Sequence, residues 1–254
     1  MRIVWAPAAF ARTHRWDRDF YLMMVGLLWL GIVMGFVPEI VHRLQTHARP
    51  YPAIVHLHAV AFVAWLCLLA AQVVLVRTRH TDLHMKLGVA GMYLYPAMVV
   101  LGIATAVVVD RLHAGKPGSD SAFLSIQLAD ILNFAVMASA AFGLRRTPSA
   151  HKRFIILATI FIANAGFARS WEGPILHWVA RHHGVAGFWA YAAGLFLSDF
   201  LLVLMMGAYD LTTRRRLHPA FVFGASFGLL VEALAIWLYV SPWWKPVAIR
   251  LLGL

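Results

Sequence analysis

The 254-residue chain has a single cysteine, Cys67. It can form no intramolecular disulfide and no cysteine-based metal site, and Cys67, inside an apolar run, reads as a small buried hydrophobe. Charge is scarce too. Asp, Glu, Lys and Arg make up 13% of the residues, about half the ~25% usual in a soluble domain. The four lysines, Lys86, Lys116, Lys152 and Lys245, fall in predicted loops or the tail. Seven spans in a chain of this length suggest a microbial rhodopsin, but without a lysine in the last helix a retinal Schiff base has no place to form. The sequence lacks a Gly-rich phosphate loop, an HExxH motif, a Ser-centred nucleophile elbow and the repeated His boxes of desaturases. The first apolar run is too long for a signal-peptide core and has no small-residue cleavage site after it, so it is expected to be a span.

What the chain has is apolar length. It is 61% hydrophobic, which points to an integral membrane protein. Continuous apolar runs cover 20–41, 53–76, 87–109, 122–144, 154–171, 185–208 and 220–240. Each is within the ~17–25 residues a bilayer-crossing helix needs. None alternates as a barrel strand does. The expected fold is all-α, a seven-transmembrane-helix bundle over 20–254. A basic juxtamembrane segment, 1–19, precedes it with Arg2, Arg12, Arg15, Arg18, Trp5 and Trp16. The loop over 172–184 is expected to form an interfacial helix at the outer mouth, with Trp243 and Trp244 as outer anchors. The GASFG stretch at 224–228 reads as a helix-packing site.

The net charge of +11 does not indicate nucleic acid, because Lys and Arg sit in short clusters between apolar runs, as juxtamembrane charges do. The lipid bilayer is the expected partner. The N-terminal segment and loops 77–86, 145–153 and 210–219 carry fourteen of these residues and the opposite side eight. The positive-inside rule then puts the N-terminus in the cytoplasm and the C-terminus outside, in a bacterial inner membrane. Arg77, Arg79, Arg145, Arg146 and Arg153, with Lys86, Lys152, Arg214, Arg215 and Arg216, form an inner rim. The rim either binds lipid phosphates or serves only as the topogenic signal.

Polar groups inside the apolar runs are costly and count as candidate functional residues. In the second helix His58, Phe62, Trp65, Leu69 and Gln72 share one face, and His56 falls on another with Val60, Val63 and Cys67. Counted by depth, His56, His58, Gln127, Asp130, Arg169 and Glu232 lie in the outer third, Asn164 near the middle, and Gln72 and Asp199 in the inner third. His84, His151 and His218 lie at the inner surface. The outer layer is expected to hold the main pocket. His58, with His56, Asp130 and Glu232, would bind a transition metal there. Asp130, Arg169, Asp199 and Glu232 would relay protons or balance charge. Cofactor binding by His58, His56, Gln72, His84 and His151 would accommodate haem b or a quinone. Haem needs axial ligands from different helices. Only the second helix offers them in the outer layer, whereas His84, His151 and His218 lie on different helices almost outside the hydrocarbon. A small proton-coupled transporter or channel and a structural subunit of a larger complex are the alternatives.

The pieces HLHAVAFVAW with Gln72, HMKLGVAGM, AHKRFIILAT, and Asp210 with RRRLHPAF resemble a domain-of-unknown-function family of bacterial multi-span membrane proteins. The arrangement is also similar to proteins suspected in cytochrome oxidase assembly, which place histidines near helix ends. The resemblance implies a cofactor or metal role beside other membrane proteins of a respiratory chain.

Overall fold

In lipid every backbone N–H and C=O must be satisfied within its own segment, so apolar runs of this length form helices. The computed structural model describes residue 10 and residues 13–183 and 187–254, the side chains of Glu172 and His183 excepted. Arg2, Trp5 and Arg12 of the basic segment lie outside the described residues, as does the end of the predicted 172–184 loop.

The helices are α1 (Asp17–Gln45), α2 (Ala53–Arg77), α3 (Thr81–His113), α4 (Leu124–Gly143), α5 (Pro148–Phe167), α6 (Gly173–His183), α7 (Phe188–Arg214), α8 (Pro219–Val240) and α9 (Trp244–Leu252). A short 3-10 turn leads into α4, and a π-helical turn, Ala168–Glu172, joins α5 to α6. Among the described residues there is no strand. Seven of the helices are long and apolar enough to cross a membrane, which fits a multi-pass integral membrane protein. The short helices α6 and α9 carry the exposed Trp178 and the half-buried Trp244.

The helices extend past the apolar runs. Starts move back to Thr81 in α3 and Pro148 in α5, and α7 continues to Arg214. Prolines at the first turns of α5 and α8 suit a position whose N–H has no helical partner. The added turns are polar, so a hydrophobic window misses them. As a result His84 and His151 stand within helices rather than in loops.

At the centre is α5, packed on α1, α4, α7 and α8, while α1–α2–α3–α4 close a ring back onto it. The approach of α1 to α5 is so close that a Cβ on Gly35 would collide with the Gly166 carbonyl. The outer faces of α2 and α3, with Val60, Tyr93 and Val100, are exposed for lipid.

At the basic end the bundle is locked by buried charge. Arg153 Nε donates to Asp210 Oδ2 at 2.9 Å, and its second terminal nitrogen donates to Asp210 Oδ1. Arg153 Nη1 donates to the Ser149 carbonyl at 2.6 Å. The two side chains are 1% and 2% exposed. Beside them Asp17 accepts from Lys152 at 2.7 Å, Arg214 at 2.8 Å and the Tyr209 hydroxyl at 2.7 Å. Arg153, expected to bind anionic lipid, is therefore buried in the protein: a charge withdrawn from water needs a partner, and Asp210 supplies it. Arg77 pairs with Asp19 at the surface, and Arg79 is exposed at the end of the α2–α3 turn.

His218 caps α8 by accepting the Ala220 N–H at Nδ1, 3.0 Å, and its Nε2 therefore donates to Ser149 Oγ at 3.2 Å. Burial, then the Arg153 guanidinium, hold its pKa down to about 4.

Asp210→Asn should cost about 3–5 kcal/mol, because Arg153 is left buried without its counter-charge. Asp19→Asn should cost about 0–1 kcal/mol at the surface. Denaturant unfolding in detergent compares the two. His218 is neutral in the fold and takes a proton once unfolded, so its contribution to stability is complete above about pH 6.5 and lost as pH falls toward about 4. His218→Asn, which keeps a capping acceptor, should flatten that loss in unfolding midpoints measured across the window.

Candidate functional site

At the end of the bundle away from the basic rim, His56 is exposed and His58 half-buried, on separate faces of α2 as the helical spacing predicts. His58 Nδ1 is buried without a partner. Asp130 on α4 faces α5, accepting from Asn164 Nδ2 at 3.3 and 3.4 Å. Glu232 is buried on α8. Arg169 pairs with Glu39 at 3.2 Å and lies over the Phe36 ring, away from both carboxylates. Among the described residues no three His, Cys, Asp or Glu side chains converge to hold a metal ion, so His56, His58, Asp130 and Glu232 make no metal-binding group. The reason is neighbour order: α2 packs on α1 and α3, whereas α8 packs on α4, α5 and α7. Asp199, expected in the inner third, lies in the outer half of α7, because that helix runs on to Arg214.

The half of the bundle at the basic end holds a cavity of about 500 Å³ between α2, α3, α4 and α5. Trp65, Leu69 and Gln72 enter it from α2, His84 and Gly88 from α3, Phe142 from α4 and His151 from α5; Arg145 and Arg146 stand at its mouth. This is the helix face read from the spacing of α2. Three residues expected to bind a cofactor, Gln72, His84 and His151, thus come together, while His56 and His58 do not join them. His218, the third inner histidine, belongs to the ionic lock instead.

The walls explain the shape. A Cβ on Gly88 would stand 3.5 Å from Gln72 Nε2, and one on Gly91 would stand 3.2 Å from Leu68 and Phe142, so α3 is pared down where the space opens. Trp65 is fixed by its indole N–H donating to Thr159 Oγ1 at 3.1 Å, with Phe134 and Phe142 edge-on. Phe142 stacks on Tyr95 at 5.2 Å. The α4–α5 turn is tight, so His151 in the first turn of α5 reaches back to the end of α4. Its Nδ1 lies 2.8 Å from the Ala141 carbonyl oxygen. A carbonyl only accepts, so Nδ1 carries the proton, and in the neutral ring Nε2 keeps a bare lone pair.

On α3 His84 Nδ1 is buried, with the Gln72 backbone as its nearest polar neighbour and no hydrogen bond of good geometry. Gln72 Oε1 is likewise buried without a partner. Unsatisfied buried polar atoms are rare and call for an explanation. The reading from sequence placed the pocket at the outer end; Gly88, Gly91 and Phe142, which shape the space, carry no polar signal in a sequence.

Fold and site define a seven-helix membrane protein with an apolar, histidine-bearing cavity at its basic end. No protein-family model, curated protein or solved structure matches the chain.

Gln72→Leu removes a buried acceptor that has no donor, so the ligand-free protein should gain about 1 kcal/mol. Thermal unfolding in detergent reads the change; a lower midpoint would mean that Gln72 is satisfied in the fold.

Proposed function

We propose that the cavity holds a b-type haem between His84 and His151, and that the protein carries electrons in the membrane. One observation carries the reading: the hydrogen bond from His151 to Ala141 leaves Nε2 as a bare lone pair in an apolar cavity, with a second imidazole on another wall. A transition ion bound by protein alone needs three or four donors, and no third converges among the described residues. A porphyrin brings its four equatorial nitrogens and asks the protein only for axial ligands from different helices. Trp65 and Phe142 offer apolar walls, and Arg145 and Arg146 at the mouth suit carboxylate side groups. A volume of about 500 Å³ is within the ~300–1,000 Å³ of small-molecule sites. Haem would supply one-electron exchange; the protein positions the imidazoles, excludes water and complements the carboxylates.

On the count of basic residues the cavity faces the cytoplasm of a bacterial cell, and the resemblance noted above suggests exchange with other membrane proteins of a respiratory chain. Gln72 favours a second reading, a quinone, because its amide N–H can donate to a carbonyl. His151 Nε2, which only accepts, would meet a quinol hydroxyl but not a quinone carbonyl.

Haem content of protein purified from haem-sufficient cells tests the proposal. The ratio to chain should approach unity, and His84→Ala and His151→Ala should each lose most of it, while His56→Ala and His58→Ala retain it. Haem content indifferent to both inner histidines would overturn the assignment; stoichiometric quinone without haem would favour Gln72 as the anchor.

A further inference from the structure

The outer half of the bundle contains a second polar region that the haem proposal leaves unused. Hydrogen bonds set its register. Ser125 Oγ donates to the Ala235 carbonyl at 3.0 Å and Asn133 Nδ2 to the Gly228 carbonyl at 3.3 Å. These bonds align α4 antiparallel to α8 and bring Asp130 level with Glu232. The Arg153–Asp210 pair aligns α5 antiparallel to α7. Counting eleven residues onward from Arg153 and eleven back from Asp210 brings Asn164 level with Asp199. Since Asn164 donates to Asp130, all four residues share one layer. It lies thirteen residues along α5 from His151, about 20 Å at 1.5 Å per residue, and so is separate from the cavity.

The asparagines of this layer point to what it takes up. Asn133 and Asn164 are 0% and 2% exposed. Each uses its amide N–H on a protein acceptor, and each Oδ1 is buried without a donor. Two buried amide oxygens at the level of these carboxyl groups call for donors. A carboxylate offers no donor; a neutral carboxylic acid offers an O–H. Among the described residues, the groups at this level are Asp130 on α4, Ser198 and Asp199 on α7, and Glu232 on α8; Asp110 on α3 accepts from Gln127, one turn from Asp130 on α4, at 3.3 Å. Tyr191 and Tyr239 lie toward the outer end, in ring contact at 4.9 Å. Arg169 is engaged by Glu39.

We propose that this layer is an intramembrane proton-binding site, in which Asp130, Asp199 and Glu232 take up protons and present O–H donors to Asn133 and Asn164. Each uptake converts one carboxylate and one proton to a neutral acid; no electron moves, and release returns the proton to water.

The test is infrared difference spectroscopy of the full chain in vesicles, between acid and alkaline buffer, in light and heavy water. The expected result is a carbonyl band of neutral carboxyl groups that shifts on deuteration, disappears as pH rises, and weakens in Asp130→Asn, Asp199→Asn and Glu232→Gln. Haem content should stay unchanged in all three, so the outcome is independent of the cavity. Where a variant does not fold, carbodiimide labelling of the unaltered protein with peptide mapping replaces it. Adducts on these three residues that decline with rising pH support the site. A band unaffected by all three substitutions, or labelling blocked by sodium at constant pH, overturns it.

Discussion

The bidentate pair of Arg153 and Asp210 is the contact on which the geometry of the inner half depends. It joins α5, which packs on α1, α4, α7 and α8, to α7 at the basic end, with both side chains almost fully buried. Residues two apart on a helix point about 200° away from each other. Fixing Arg153 toward α7 therefore aims His151 at the opposite side, toward α4 and the cavity. The hydrogen bond from His151 to Ala141 then sets the tautomer. A burial constraint on one side of α5 becomes a chemical property on the other.

The rest of the bundle obeys the same cost rule. Buried polar groups either meet a protein partner or are left for something else. Asp17 gathers Lys152, Arg214 and Tyr209, and Trp65 meets Thr159. Among the described residues the exceptions include Gln72 and His84 at the cavity, Asn133 and Asn164 on α4 and α5, His58 on α2, and one oxygen each of Asp110 and Gln127, which bond to each other. Unsatisfied buried polar atoms are rare in a fold that pairs most of the others, which is why both proposals start from them.

Much of this was legible in the sequence. Twenty-residue apolar runs have one stable form in lipid, so the seven spans followed. The spacing of His58, Phe62, Trp65, Leu69 and Gln72 gave the inward face of α2, because helical periodicity survives errors at helix ends. Depth was read less well. The polar end turns of α3, α5 and α7 are invisible to a hydrophobic window, so His84 and His151 looked outside the bundle and Asp199 looked too deep. Equal depth does not imply contact: His58 and Glu232 lie at one level in the sequence count, yet α2 and α8 are not neighbours, and neighbour order is set by packing such as the Gly35–Gly166 approach. Charge counts likewise located Arg153 at the basic rim without revealing a partner 57 residues away.

The central claim is that the two inner imidazoles bind one haem iron. The most direct measurement is the absorption spectrum of the purified protein, oxidised and then reduced with dithionite. A haem held by His84 and His151 would give a low-spin spectrum with a Soret band that shifts on reduction and sharp visible bands in the reduced state. A colourless protein from haem-sufficient cells, folded and monodisperse, would contradict the account.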